Sequence, residues 1–375
     1  YTIKKMKFSV NQKDLQNALN YCQGVIEKRS TLPILSNVLL EAKDSNLKII
    51  ATDLDIIFIQ NISNIEISLE GQTTTVCSTL YDIVRKFNNE KKINFNLVNE
   101  NKINLESDKS SFNLNCLKAS EFPITDENFK ENEFKINSKQ LLKILNKCRS
   151  SISNDETRHY LSGIFLHTTE NEGKKFLTAV ATDSHRMAIS KILLLDEINF
   201  EPIILPKKTI FQLCSLLDNY DGDIKISNLK SKIKFEFDTS ILISKLIDGK
   251  FPNYYQVIPK DNQKKLEIDL KPFLTSVDRV ASVSSDKKDG LRMNLINNNL
   301  DLSVNNSNSG DGKENLLVNF DHELDISFNP RYLIDVASNM DGDKIEIYLK
   351  ESGSPALIKD PSDYDSIYVV MPMKG

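Results

Sequence analysis

The chain has 375 residues, 40% of them hydrophobic and 27% charged, and a net charge of −4. These proportions are ordinary for a globular protein, and the length allows two or three domains. The acidic balance gives no bulk signal for nucleic acid, and no apolar run approaches the ~20 residues that span a bilayer.

The first ten residues, YTIKKMKFSV, are basic but lack the apolar core of a signal peptide. Met6 reads as a natural start, with Tyr1 to Lys5 a remnant or an upstream extension. A first helix is expected after Asn11, with Leu15, Ala18, Leu19 and Cys22 at i, i+3, i+4 and i+7. The same pattern returns 126 residues later at Leu141, Ile144, Leu145 and Cys148, after Ser138. A further 132 residues on it returns at Phe273, Val277 and Val280, lacking only the i+3 apolar residue. A second helix type follows Ser78, with Leu80, Ile83, Val84 and Phe87. It recurs after 130 residues at Ile210, Leu213, Cys214 and Leu217, and after another 123 at Leu333, Val336, Ala337 and Met340. Serine and asparagine suit the N-cap, and Pro206 and Pro330 suit the first turn of the later copies.

Between the helices the sequence alternates with period two, as in Leu47–Ala51, Phe112–Leu117, Ile233–Phe237 and Lys344–Leu349. Turns are expected at Glu70-Gly71, Asp221-Gly222, Asp248-Gly249 and Asp341-Gly342. Each third therefore reads as an α+β domain with two amphipathic helices on antiparallel sheet. Glu121-Phe122-Pro123 and Lys250-Phe251-Pro252 close the first two thirds, which gives domains at 1–128, 129–256 and 257–375. Thr125–Glu133 and Pro259–Lys265 read as polar linkers. Asn305–Asn315 reads as a surface loop that lacks the glutamate of an EF-hand.

Catalytic signatures are absent. No P-loop or dinucleotide fingerprint occurs, so no cofactor is expected. His159, His167, His185 and His322 have no metal-ligand spacing. The five cysteines (22, 77, 116, 148 and 214) are odd in number and form no C-x-x-C pair; three sit at apolar helix positions. They read as buried free thiols in a reducing cytosol, hence a cytoplasmic protein without disulfides or zinc. Asp183-Ser184-His185 lacks the elbow of a hydrolase nucleophile, and sequence neighbours rarely aim a serine oxygen at the adjacent imidazole.

Several strings point to one family. They are Met6-Lys-Phe-Ser-Val10, Ser30-Thr-Leu-Pro-Ile-Leu35, Ala51-Thr-Asp-Leu54, Ala181-Thr-Asp-Ser-His-Arg186, Ser244-Lys-Leu-Ile-Asp-Gly-Lys-Phe-Pro252 and Tyr368-Val-Val-Met-Pro-Met373. From Met6 to Gly375 the chain resembles the bacterial DNA polymerase III beta subunit, the processivity sliding clamp. The resemblance implies a head-to-tail homodimeric ring of six similar domains, helices inside and sheets outside. It implies sequence-independent binding of duplex DNA, tethering of the replicative DNA polymerase, loading by an ATP-driven clamp loader, and no catalysis. A sliding tether needs phosphate contacts that position without reading bases.

By the same resemblance, Arg29, Arg158, Lys207 and Lys208 would face DNA; Lys86, Lys143, Lys147, Arg149 and Arg279 are further basic candidates for the lining. The resemblance also implies an apolar groove for short motifs of polymerases, the loader and repair proteins. It would be formed by Leu161, Thr182, Ser184, His185, Arg186, Met187, Pro252, Val257, Val369, Val370, Met371, Pro372 and Met373. Methionine suits a surface serving many partners. Ser184 stands where the family commonly has glycine, Met187 where it has leucine and Gln256 where it has arginine, and the chain ends Lys374-Gly375. Phe112, Leu114 and Val283 match dimer-contact positions of the family. Two alternatives remain open on sequence: a hydrolase using Asp183, Ser184 and His185, and a protein-binding adaptor that does not engage DNA.

Overall fold

The computed structural model describes residues 5–123, 128–285 and 287–374. The first third contains β1 (Lys7–Asn11), α1 (Gln12–Gln23), β2 (Asn37–Lys43), β3 (Asn46–Thr52), β4 (Ile56–Ile62), β5 (Glu66–Leu69), β6 (Gly71–Val76), α2 (Cys77–Val84), β7 (Lys92–Asn99), β8 (Lys102–Ser107) and β9 (Ser110–Leu117). The middle third contains β10 (Phe134–Asn137), α3 (Ser138–Cys148), β11 (Gly163–Asn171), β12 (Lys174–Thr182), β13 (Arg186–Leu194), β14 (Ile203–Pro206), α4 (Lys207–Leu217), β15 (Asp223–Asn228), β16 (Lys232–Phe237) and β17 (Ser240–Lys245). The last third contains β18 (Lys264–Asp269), α5 (Leu270–Ala281), β19 (Leu291–Ile296), β20 (Asn299–Asn306), β21 (Gly310–Leu317), β22 (Leu324–Phe328), α6 (Pro330–Ser338), β23 (Lys344–Leu349), β24 (Ala356–Asp360) and β25 (Asp363–Val370). The order strand, helix, three strands, strand, helix, three strands thus occurs three times, with β5 the one addition.

The helical periodicity survives as burial. Leu15, Ala18, Leu19 and Cys22 of α1 are buried, as are Leu141, Ile144, Leu145 and Cys148 of α3 and Ile210, Leu213, Cys214 and Leu217 of α4. In α5 the position without an apolar residue is Ser276, which is itself buried and turns its hydroxyl toward Glu314. The helix starts differ slightly from expectation. α2 begins at Cys77, one residue before Ser78, with Val76 at its N-cap. Pro206 ends β14, whereas Pro330 opens α6 behind Asn329, whose side chain accepts from Arg331 N–H.

The chain divides into two compact units, Tyr1–Lys139 with Phe211–Leu246, and Gln140–Ile210 with Ile247–Gly375. In the first, thirteen strands run in the order β10-β15-β16-β17-β4-β3-β2-β6-β9-β8-β7-β1-β5. In the second, eight strands run β14-β11-β12-β13-β25-β24-β23-β18, and four run β21-β20-β19-β22. Strands of neighbouring thirds therefore join edge to edge. β4 pairs antiparallel with β17, placing Gln60 opposite Ser240 and Phe58 opposite Leu242. β13 pairs with β25, placing Ser190 opposite Ser366 and Ala188 opposite Tyr368. Each seam has a polar pin at the same register position. The Gln60 amide accepts from Ser240 Oγ at 2.6 Å, and Ser190 and Ser366 share a hydrogen bond of 2.7 Å.

Asn305–Asn315 is not a loop. It holds the end of β20, a tight turn and most of β21. Its polar composition is that of an exposed edge strand, which hides the two-residue period. The turn is closed by Asn306 Oδ1, which accepts from Asn308 N–H at 2.9 Å and Ser309 N–H at 2.8 Å. The expected linker Pro259–Lys265 gives its last two residues to β18. Of Thr125–Glu133, residues 125–127 lie outside the described segments, as do Tyr1–Lys4 and Gly375. Phe129, within that linker, is buried, and its carbonyl accepts from the buried Lys234 ammonium.

Lys147 and Lys143 are not free surface cations. Lys147, only 5% exposed, donates to the carbonyl of Asn339 just beyond α6 and to Asp341 Oδ2 at 2.9 Å. Lys143 pairs with Asp363 at 3.1 Å. Truncating a buried, bonded ammonium leaves a carbonyl and a carboxylate without their donor. Lys147→Ala is therefore expected to destabilise the second compact unit by roughly 1–3 kcal/mol. Hydrogen exchange at the α6 C-terminus and a urea titration would register the loss; unchanged protection would remove Lys147 from this role.

Candidate functional site

The Thr182–Met187 segment is built by turn chemistry. Asp183 Oδ1 accepts from the backbone N–H of His185 and Arg186, both at 3.0 Å, and Thr182 Oγ1 donates to the carbonyl of Arg186 at 2.7 Å. The turn requires a left-handed residue, and Ser184 supplies it at φ 76°. A non-glycine residue there is unusual but tolerated. Leu54 does the same at φ 79° in the first third, where Asp53 closes the equivalent turn.

This turn opens β13, whose partner β25 runs into the chain's tail. Arg186 lies opposite Val370 and Met187 opposite Val369, and Met371 N–H donates to the carbonyl of His185 at 2.9 Å. Behind the seam lies an apolar cluster of Leu161, Val180, Met187, Ile189, Ile204, Phe251, Tyr254 and Val369. Phe165 packs against it and stacks on Phe251 with centroids 4.8 Å apart. The tail beyond the seam is solvent-facing: Met371 and Met373 are each 37% exposed. Val257 is also exposed, on the same short turn as the buried Tyr254.

Arg186 is fixed on several sides. Its Nε meets Asp183 at 3.2 Å, its Nη1 meets Asp335 of α6, and its guanidinium lies 4.4 Å from the Tyr332 ring centroid. An arginine so held presents a stacked, neutralised plane. Met373 lies apart from the cluster, bridged to Ser327 and beside Gly290. With Met371 and Pro372 it lines an open cavity of about 780 Å³ that also touches Arg292, Asp325 and Ser352.

Of the residues expected to form a groove, the structure thus gathers Leu161, Met187 and Val369 in one core. Thr182, Ser184, His185 and Arg186 form the adjoining turn, with Met371 and Pro372 alongside. Val369 and Val370 are buried and belong to the floor, while Pro252 and Val257 are exposed. Sequence reasoning missed Phe165, His167, Tyr254, Tyr332 and Asp335. Their strand and helix patterns mark them as ordinary face residues, and only the paired sheet brings them under one surface.

The basic residues are distributed differently. Arg29 is exposed after α1, in the first compact unit. Arg158 and Lys207 converge on one loop of the second. Arg158 pairs with Asp155 at 3.1 Å and donates to Ser184 Oγ at 2.6 Å, while Lys207 Nζ donates to Asn154 Oδ1 at 2.6 Å. The Thr157 hydroxyl and N–H, followed by Arg158, hold the Asp155 carboxyl below its ordinary pKa. Lys208 is half-buried at the start of α4. The Ser184 oxygen is engaged by Arg158, and the Asp183 carboxylate by the turn and Arg186, so these side chains are not arranged as a relay through His185.

Among the described residues no group of three metal-ligating side chains comes together, and no helix is long and apolar enough to cross a membrane. All five cysteines are buried and free. Burial raises the thiol pKa of Cys22, Cys77 (to about 12), Cys116 and Cys148, which keeps them protonated and inert.

Fold and site together define a threefold clamp repeat with an apolar cluster and exposed methionines at its second seam. The family models agree: the DNA polymerase III beta subunit N-terminal domain matches residues 6–126, the central domain 135–253 and the C-terminal domain 255–374. The chain is 35% identical to the beta sliding clamp of Caulobacter vibrioides over 98% of its length and all of that protein, and 34% identical to that of Rickettsia felis with the same coverage. A Caulobacter crescentus beta sliding clamp solved with polyethylene glycol bound superposes with a TM-score of 0.95 at 34% identity, over 99% of this chain and 100% of that one. A Bartonella birtlesii sliding clamp bound to griselimycin gives 0.94 at 32%, with the same coverage. The chain belongs to the DNA polymerase III beta subunit family. It is a sliding clamp, a non-catalytic processivity factor of DNA polymerase III.

His167 lies beneath the apolar cluster, bonded through Nε2 to the Tyr254 hydroxyl at 2.7 Å and stacked on Phe165. Burial pushes its pKa down to about 4. Above pH 6.5 the imidazole is neutral in folded and unfolded chain alike, so stability is unaffected there. Below 6.5 the unfolded chain takes a proton that the folded one refuses, and stability falls until about pH 4, by at most about 3 kcal/mol. His167→Phe is expected to flatten the melting-temperature profile between pH 7 and 4.5. An unchanged profile would show that another group titrates.

Proposed function

We propose that two copies of this chain close head to tail into a ring that encircles duplex DNA and tethers the replicative DNA polymerase. In this reading the clamp domains are 1–128, 129–256 and 257–375. A clamp loader opens and places the ring, and repair proteins share its binding groove.

The observation that carries the ring is an exposure mismatch between equivalent edges. β4·β17 and β13·β25 each join the last strand in the first half of one third to the last strand in the second half of the next third. By that rule β21 and β9 are left over. β21 is the edge of its four-stranded sheet, and residues 110–115 of β9 pair only with β8. Phe112 of β9 is 39% exposed, whereas its equivalents Leu242 and Tyr368 are 0% and 2%. Leu114 is half-buried whereas its repeat equivalents Ser244 and Val370 are buried, and Val283 is half-buried whereas its equivalents Val25 and Ser151 are buried. Gly312 makes room for Val283, since a Cβ there would meet its Cγ2 at 2.9 Å. Phe112, Leu114 and Val283 are thus dressed for a partner edge, and a second copy offers the matching one.

The groove reading rests on the same logic. Exposed Met371 and Val257 adjoin a buried aromatic and aliphatic cluster, and exposed Met373 lines the open cavity next to the tail, surfaces suited to short apolar motifs. Griselimycin bound to the Bartonella clamp, and polyethylene glycol bound at the region assigned to tethering the beta motif in the Caulobacter clamp, are consistent with a ligand surface in this family. For DNA, exposed Arg29 and the Arg158, Lys207 and Lys208 group would supply non-specific phosphate contacts.

The ring is tested by topology. Loaded on nicked circular DNA, the protein is expected to remain bound in high salt and to leave once the circle is linearised. Retention on the linear product would sink the reading. The groove is tested by removing Met371–Gly375, which should weaken binding of a polymerase-derived peptide at least ~100-fold, the scale of losing several buried contacts. The dimer should persist in that variant; its loss would mean that the tail serves assembly.

A further inference from the structure

The three repeats can be aligned at their turns, because Asp53, Asp183 and Asn306 each accept with Oδ1 from the backbone N–H groups two and three residues further on. Seven residues after each cap stand Gln60, Ser190 and Lys313. In the other strand set, Ser240 and Ser110 both follow two-residue hairpin loops, with Phe237 opposite Ser240 and Ser107 opposite Ser110. Gln60 faces Ser240 and Ser190 faces Ser366 in the internal seams. Carried to the leftover edges, the same register sets Lys313 against Ser110 and Asp311 against Phe112.

The helix ends at the seams add a side-chain contact. In the first, Gln212 of α4 donates to the carbonyl of Tyr21 in α1 at 2.8 Å. In the second, Lys147 of α3 donates to the Asn339 carbonyl beyond α6. Tyr21, Lys147 and Arg279 are one repeat position, six residues after Leu15, Leu141 and Phe273. Gln212 corresponds to Asp82, and Asn339 to Lys86, by their spacing from Ile210, Leu333 and Leu80. Superimposing both internal contacts on the leftover edges brings Arg279 to Asp82 and to the carbonyl of Lys86.

We propose that Arg279 of one copy anchors the intermolecular seam by pairing with Asp82 and the α2 C-terminus of a second copy, with Asp311 opposite Phe112. The proposal rests on the ring reading and specifies its third seam. Charge and preorganisation both favour it. Arg279 is 63% exposed and already held by Glu314 of β21 at 2.6 Å, which leaves further guanidinium donors free for the seam. Asp82 is exposed and carries only a local pair with Arg85 at 3.2 Å. Cations at a helix C-terminus also gain from the macrodipole. Arg279 is thereby a seam residue and not a member of the DNA-facing lining.

Charge exchange tests the pair. Asp82→Arg and Arg279→Asp each place like charges at the seam and should weaken the dimer about tenfold or more in sedimentation, while the double exchange should recover most of the loss. Circular dichroism melting of each variant separates misfolding from lost assembly. Register is read by disulfide trapping, since the five native thiols are buried. Phe112→Cys with Asp311→Cys should cross-link between copies faster than Leu114→Cys with Asp311→Cys, because diagonal neighbours lie beyond disulfide reach. Additive losses without recovery overturn the Arg279 assignment while leaving the dimer intact. Faster trapping of the shifted pair overturns the register. A wild-type chain that remains monomeric overturns the ring reading itself.

Discussion

Antiparallel pairing between the last strand of the first half of one third and the last strand of the second half of the next third is the constraint from which the rest follows. An edge strand leaves a row of backbone groups unpaired, and β4·β17 and β13·β25 satisfy those rows by joining one repeat to the next. Because the pairing crosses repeat boundaries, the compact units do not coincide with the repeats. The middle third contributes β15–β17 to one unit and β11–β14 to the other.

The apolar surface beside the Asp183 turn is a by-product of the second seam. β25 pairs along β13 and then continues past the Asp183 turn, which delivers Met371 to the carbonyl of His185. The same pairing stacks Met187 on Val369 and so builds the apolar floor. The equivalent turn at Asp53 faces no such tail, since β17 belongs to a hairpin and is followed by more chain. The turn at Asp183 therefore differs from its counterpart at Asp53 in having Met371 hydrogen-bonded beside it.

The seams also differ in chemistry. The internal ones bury Phe58, Leu242 and Tyr368, while the leftover edges carry Ser110, Asn113, Asp311 and Lys313. Polar edges resist indiscriminate strand addition and, in the proposed ring, would suit a contact that closes with one partner and reopens. Ion pairs such as Arg279 with Asp82 would add register and orientation at little cost to reversibility.

The sequence by itself determined the threefold repeat, the six helices and the buried stripe on each. Those follow from 3.6-residue periodicity, which is local. It also marked Thr182–Met187 and the methionine tail as the places where the copies diverge. It could not separate Lys147, sealed at a helix end, from the exposed Arg279 at the same repeat position. Nor could it recognise β21 in a polar stretch, or bring His167, Tyr254 and Tyr332 beneath the tail. Those depend on which strands lie side by side across more than a hundred residues, and only the tertiary structure decides that, because pairing energy is set by the partner edge and not by the strand alone.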